Sequence, residues 1–106
     1  MPKYMWKVSY SQDGLRGIMK QGAADRAAQI GKITAANGGT LEGFYFAFGQ
    51  TDAYVIAELP GDTTAAAIAM AVGASGAAGI ETVKLLMPSE VDEARGIQTG
   101  YVPPGA

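Results

Sequence analysis

From Lys3 to Tyr10 the side chains alternate. Tyr4, Trp6, Val8 and Tyr10 fall on one parity and Met5, Lys7 and Ser9 on the other, the period of a strand with two unlike faces. At Ser11 the period changes. Leu15, Ile18, Ala23, Arg26, Ala27, Ile30 and Ile33 recur at helical spacing, with Ser11 placed to cap the first turn. Ala36-Asn37-Gly38-Gly39 ends that helix, because asparagine and glycine accept the left-handed conformation of a C-cap. Strands are predicted over 41–48 and 53–59. Pro60-Gly61-Asp62 then breaks the pattern, with Asp62 as N-cap of an alanine-rich helix running to about residue 78. A fourth strand covers 80–87, and a short helix over 88–95 takes Ser89 as its cap. Residues 96–106 form an extended tail ending in Tyr-Val-Pro-Pro-Gly-Ala, so the expected organisation is one domain over 1–95 plus that tail.

The order is β-α-β-β-α-β. Short connections and right-handed crossovers turn it into a ferredoxin-like α+β sandwich, an antiparallel sheet of order 4-1-3-2 with both helices on one face. In the hairpin, a two- or four-residue loop would set Phe48 opposite Ala53, Phe46 opposite Val55 and Phe44 opposite Ala57, large against small on the helix-covered side. Trp6 and the three phenylalanines are then expected core. The opposite parity carries Met5, Lys7, Tyr45, Tyr54, Ile56 and Glu58, joined from the fourth strand by Thr82, Lys84 and Leu86. An apolar face of this kind is rarely left to water, and a second copy of the chain is the simplest cover.

Composition narrows the chemistry. Without cysteine, thiol chemistry, disulfides and cysteine-held iron–sulfur clusters are excluded, and without histidine the commonest metal ligand and neutral-pH base is missing. The expectation is a protein with no metal and no cofactor. A net charge of −2 argues against sequence-independent binding to nucleic-acid phosphates. The longest apolar stretch, residues 65–79, is mostly alanine and glycine and falls short of the roughly 20 residues a membrane span needs. The first ten residues lack the apolar run and cleavage site of a signal peptide, so a cytoplasmic location is expected.

Asp13-Gly14-Leu15-Arg16-Gly17-Ile18, Gly38-Gly39, Gly43-Phe44-Tyr45-Phe46-Ala47-Phe48-Gly49 and Gly49-Gln50-Thr51-Asp52 followed by a β-branched strand and Pro60 resemble the GYD-domain family of bacterial proteins, in the dimeric α+β-barrel superfamily. The likeness covers roughly residues 3–95, with Thr51 standing where the family signature has tyrosine. It implies two sheets packed face to face in a dimer. It implies no particular activity, since relatives in the superfamily include monooxygenases, isomerases, haem-degrading enzymes and ligand sensors.

Candidate site residues follow from the residues themselves. Gly49 is read as a positive-φ turn residue. Asp52 is read first as an acceptor for turn N–H groups and second as a general base or ligand anchor at one end of an intersheet cavity. Lys7, Glu58 and Lys84 form either an ion-pair network at a dimer interface or an anion site to which Tyr45 and Tyr54 donate hydrogen bonds. The leading expectation is a small homo-oligomer, dimeric or higher, that binds a partly apolar small molecule in an intersheet cavity. The alternative is an assembly subunit that uses the open face and the tail. A cofactor-free monooxygenase or isomerase ranks third.

Overall fold

The alternating segment that opens the chain becomes a central strand. The computed structural model describes residues 1–106. Its elements are β1 Lys3–Tyr10, α1 Gln12–Gln21, α2 Ala23–Ala36, β2 Thr40–Phe46, β3 Ala53–Glu58, α3 Asp62–Ala74, β4 Ala78–Leu85 and α4 Pro88–Arg95. The strands form one antiparallel sheet in the order β2-β3-β1-β4, the expected order counted from the other edge. Helix α2 lies over β2 and α3 over β4 on the same side, giving a ferredoxin-like α+β fold. No helix is long and apolar enough to cross a membrane.

The core sits where alternation predicts. Tyr4, Trp6 and Val8 of β1 meet Ala53, Val55 and Ala57 of β3, and Ile30, Ala65 and Ile68 close over them from α2 and α3. Small residues on β3 let the ring side chains of β1 lie flat beneath the helices. Thr34 is fully buried, and its hydroxyl donates to the Ile30 carbonyl at 2.7 Å, the usual way a helix hides a threonine.

The first predicted helix is two. Gly22, at φ 99°, separates α1 from α2, and its N–H closes α1 on the Ile18 carbonyl at 2.7 Å. The five-residue gap between Ile18 and Ala23 in the apolar series marks the break. Ser11 caps α1 as expected, accepting from Gly14 N at 3.1 Å, and its hydroxyl donates to the Gly76 carbonyl at 2.6 Å. Two other caps differ. Asp62 is the first residue of α3, which starts after Gly61, and its carboxylate turns to Tyr4 and Lys84 instead. At α4, Glu90 and not Ser89 supplies the capping acceptor, taking the Met87 N–H at 3.0 Å.

The hairpin keeps its expected parity but slips by two residues. Phe46 faces Ala53 and Phe44 faces Val55, so β2 ends at Phe46 and residues 47–52 form a longer loop. Phe48 therefore leaves the core entirely and Phe46 is 46% exposed, whereas Phe44 stays half-buried. A bulge at Glu42 puts Leu41 and Phe44 both on the core side and sends Glu42 to Lys3, 3.0 Å away.

Strand β4 takes the other phase from the one expected. Ile80, Thr82 and Lys84 pair with Val8, Trp6 and Tyr4, which places Thr82 and Lys84 on the helix side; Glu81, Val83 and Leu85 face outward with Lys7, Met5 and Lys3. Ile80, Val83, Leu85 and Leu86 put apolar side chains on both parities of this edge strand, so alternation alone does not choose a face.

Candidate functional site

The Gly49–Asp52 loop is a strut between strands. Gly49 adopts φ 104°, as expected of its turn role. Asp52 does accept a backbone N–H, but not one in its own turn: its Oδ2 takes the N–H of Tyr10, 2.8 Å away on β1. The Asp52 N–H donates in turn to the Val8 carbonyl at 2.8 Å, and Ser9 Oγ holds the Gln50 carbonyl at 2.9 Å. The aspartate thus extends the β1–β3 ladder past the end of β3.

The other candidates do not converge on one point. Lys7, Tyr45, Tyr54 and Glu58 lie on the open face, where Tyr45 stands opposite Tyr54 and Lys7 reaches Glu81 at 3.6 Å. Lys84 is on the far side of the sheet. It reaches Asp62 at 3.0 Å, and Asp62 also accepts the Tyr4 hydroxyl at 2.5 Å. That arrangement holds the Asp62 carboxyl below its ordinary range, chiefly through the Tyr4 hydrogen bond and then Lys84. Burial, reinforced by the carboxylate, pushes the Tyr4 hydroxyl up to about 12. No three His, Cys, Asp or Glu side chains cluster as a metal site would require.

What the structure does assemble lies between the sheet and the helices. Trp6 is 2% exposed, and its indole N–H is the one buried side-chain polar atom left without a partner. A buried donor in that state costs about 1–3 kcal/mol. Trp6 is one wall of a cavity of about 30 Å³ whose other walls include Tyr10, Arg26, Ile30, Phe44 and Val72, although its Nε1 is itself sealed from that space. Such a volume admits one water or one ligand oxygen. Arg26, Ile30, Ile68 and Val72 also line a groove of about 520 Å³ between α2 and α3. The groove runs between the helices because α2 packs chiefly on β2 and α3 on β4, at opposite edges of the sheet.

Arg26 is the polar residue at the seam. Arg16 and Arg95 pair with Asp13 and Asp92 one helical turn away, at 3.4 and 3.6 Å, whereas Arg26 has no carboxylate partner although it is the least exposed of the three. Its guanidinium lies beside the Tyr10 hydroxyl. Burial raises the Tyr10 pKa above the ordinary tyrosine range, against the opposing pull of Arg26 and with a smaller push from Asp52. Tyr10 also stacks with Phe46, ring centroids 6.4 Å apart, and Phe46 lies 5.2 Å from Phe44, so Tyr10 and Phe44, two walls of the cavity, are joined through an aromatic cluster.

The β-α-α-β-β-α-β-α chain with its Gly49–Asp52 loop matches the family model of the GYD domain over residues 4–94. The chain belongs to the GYD-domain family. No curated protein and no solved structure matches it. In this GYD domain the Gly49–Asp52 loop braces β1 at Tyr10, which lines the cavity, and Thr51 within the loop is half-buried.

Trp6, Tyr10 and Arg26 were not among the residues that sequence reasoning picked out for a site. Trp6 was expected core, which it is. Arg26 carried a usable signal: it is a cation inside the otherwise apolar helical series that runs from Leu15 to Ile33. A charged residue on the buried stripe of an amphipathic helix needs a partner.

Proposed function

We propose that this GYD domain is a homo-oligomeric protein that binds a small, partly apolar molecule in the cavity between its sheet and its helices. The observation that carries this reading is the apolar cavity beside Trp6, which shares Arg26, Ile30, Ile68 and Val72 with a larger groove on the surface. Pockets of this composition, mostly apolar with a few convergent polar groups, are the usual form of small-molecule sites. The cavity and the groove favour the helix side over the intersheet space expected from sequence. Whether chemistry accompanies binding depends on the bound molecule; Asp52 is engaged by Tyr10 N and is a poor base while it remains so.

The open face is proposed to meet a second copy of the chain. Met5, Tyr54, Ile56, Val83 and Leu85 are half-buried on it, and Tyr45 is 62% exposed. A second reading, an assembly subunit, is favoured by a separate observation: Leu86, Val91, Ile97, Tyr101 and Val102 beyond β4 are each at least half exposed and belong to no part of the core. Removing residues 96–106 separates the two, because the assembly reading requires a loss of oligomer mass and the small-molecule reading does not.

The binding test uses the single tryptophan as its reporter. Titration with the dye 1-anilinonaphthalene-8-sulfonate should quench Trp6 emission by energy transfer and saturate at one dye per chain. Ala71→Phe, which fills the groove from an exposed position on α3, should abolish that saturation. Unsaturable dye binding, unchanged by Ala71→Phe, would argue for the open face as the only apolar surface in play.

A further inference from the structure

We infer that residues 86–106 form a clasp that packs on a second copy of this chain, with α4 lying in the partner's cleft between α3 and β4. This rests on the assembly reading above, gives it a partner and a contact, and leaves the small-molecule reading untouched.

The arm has no partner in its own chain. Every residue from Leu86 to Ala106 is exposed. No hydrogen bond or ion pair ties the segment to the body; its bonds, such as Glu90 accepting the Met87 N–H and Arg95 pairing with Asp92, are internal. The Cα radius of gyration is 16.9 Å, where a compact chain of this length has roughly 13 Å. The molecule is 58 Å long but only 33 and 23 Å across.

The arm is nonetheless built to pack. Met87, Val91 and Ala94 fall on one face of α4, at spacings of four and three, and Asp92 and Glu93 fall off it. An eight-residue helix does not hold itself together in water and draws its stability from packing. Ile97, Tyr101 and Val102 continue the apolar surface along the tail.

The same chain carries a surface of matching kind. No ionisable side chain occurs from Thr63 to Ile80, so the outward side of α3 shows Ala66 and Met70 to solvent without a charge among them. A helix that is apolar all round is ordinarily covered. Beside it a cleft of about 400 Å³ is lined by Tyr4, Asp62, Ala66, Ala69, Met70 and Lys84. Its one carboxylate, Asp62, is held by Tyr4 and Lys84. A helix bearing Glu90, Asp92 and Glu93 therefore meets no unpaired like charge there and finds a half-exposed lysine.

The positions of arm and cleft favour a second copy over an unrelated protein. Strand β4 ends at Leu85, where the arm begins, and its Thr82 and Lys84 border the cleft. One two-fold axis beside β4 lays each arm in the other copy's cleft, an isologous contact. Val83 and Leu85 of the same strand face the open side, so the clasp is continuous with the sheet-to-sheet contact proposed above. A standard interface draws roughly 20–30 residues from each side, a range that residues 86–106 and the cleft lining together reach.

Cross-linking tests this on the full chain, which has no cysteine of its own. Ala66→Cys chains and Val91→Cys chains, distinguished by mass, are co-expressed and mildly oxidised. The mixed disulfide should form at least about tenfold faster than either chain joins itself, because a docked pair is held at millimolar effective concentration. Lys32→Cys, on the exposed side of α2, should not join Val91→Cys at that rate. Val91→Asp should weaken the oligomer at least about tenfold on dilution, by light scattering, with its circular dichroism unchanged. Equal cross-linking of Val91→Cys to positions 66 and 32 would overturn the contact. So would a chain carrying both Ala66→Cys and Val91→Cys that closes on itself at the mass of one chain, since the arm would then fold on its own body. Loss of mass on removing residues 96–106 without the 66–91 disulfide would keep the assembly reading and overturn this contact. A wild-type mass of one chain would overturn both.

Discussion

The carboxylate of Asp52 accepts the backbone N–H of Tyr10 at 2.8 Å across 42 positions of chain. A charge-assisted bond to a part-buried amide is worth about 1.5–3 kcal/mol. Asp52→Ala should lose about that much in urea denaturation. Asp52→Asn keeps an acceptor oxygen and should lose about 1 kcal/mol or less. Equal losses for the two variants would mean that the charge matters beyond the hydrogen bond.

Gly14 inverts the usual rule for glycine in a helix. A Cβ there would stand 2.0 Å from the Ala77 carbonyl oxygen, because Ser11 draws the start of α1 onto the loop before β4. Gly14→Ala should therefore destabilise by about 1–3 kcal/mol, the range for forced overpacking. At Gly17 nothing lies within 4 Å of the added carbon, so Gly17→Ala should be neutral or stabilising by up to about 1 kcal/mol. Thermal melts of the pair decide it.

Tyr4, Asp62 and Lys84 set two pH edges. Asp62 has a folded-state pKa below its ordinary 3.8, so its contribution is present above that value and is lost as pH falls through the depressed one. Tyr4 is raised from 10.0 to about 12, so its contribution is complete below pH 10 and disappears as pH rises toward 12. Tyr4→Phe should flatten the alkaline edge and weaken the acid one. Ultraviolet titration should show two late-ionising tyrosines in the wild type, Tyr4 and Tyr10, and only Tyr10 in the variant.

The open sheet face offers a test of assembly. Stacking two such faces should bury on the order of 1,200–2,000 Å². Ile56→Asp would place one unpaired carboxylate per chain in that contact, at a cost of several kcal/mol. Light scattering should give a dimer or larger for the wild type and a monomer for the variant. Lys32→Asp, on the exposed side of α2, should leave the mass unchanged. A wild-type mass of one chain at micromolar concentration would remove the open face as an interface.

Much of this fold was legible because burial repeats with the period of each element. Tyr4, Trp6 and Val8 announce their face of β1 at every second residue, and four strands in that order leave little choice of topology. Phe48 and Lys84 were misplaced for two physical reasons. Pairing in a hairpin depends on where the loop closes, and that closure rests on the long-range Asp52–Tyr10 and Asp52–Val8 bonds, which no local pattern reveals. On β4, apolar residues of both parities left the phase to be set by pairing with β1. The site was harder still. A lone tryptophan on a core face reads as core, and only three dimensions show that its N–H meets no acceptor.

The most direct test of the cavity is the nitrogen–proton correlation spectrum of the single indole in solution. The Trp6 indole signal should shift as 1-anilinonaphthalene-8-sulfonate is added and saturate at one dye per chain, in step with the quenching of its emission. Backbone signals of Tyr10 and Arg26 should move with it, and those of Tyr45 and Tyr54 on the open face should stay in place. A Trp6 indole signal that does not move while Tyr45 and Tyr54 shift would contradict the cavity and put the ligand between the sheets.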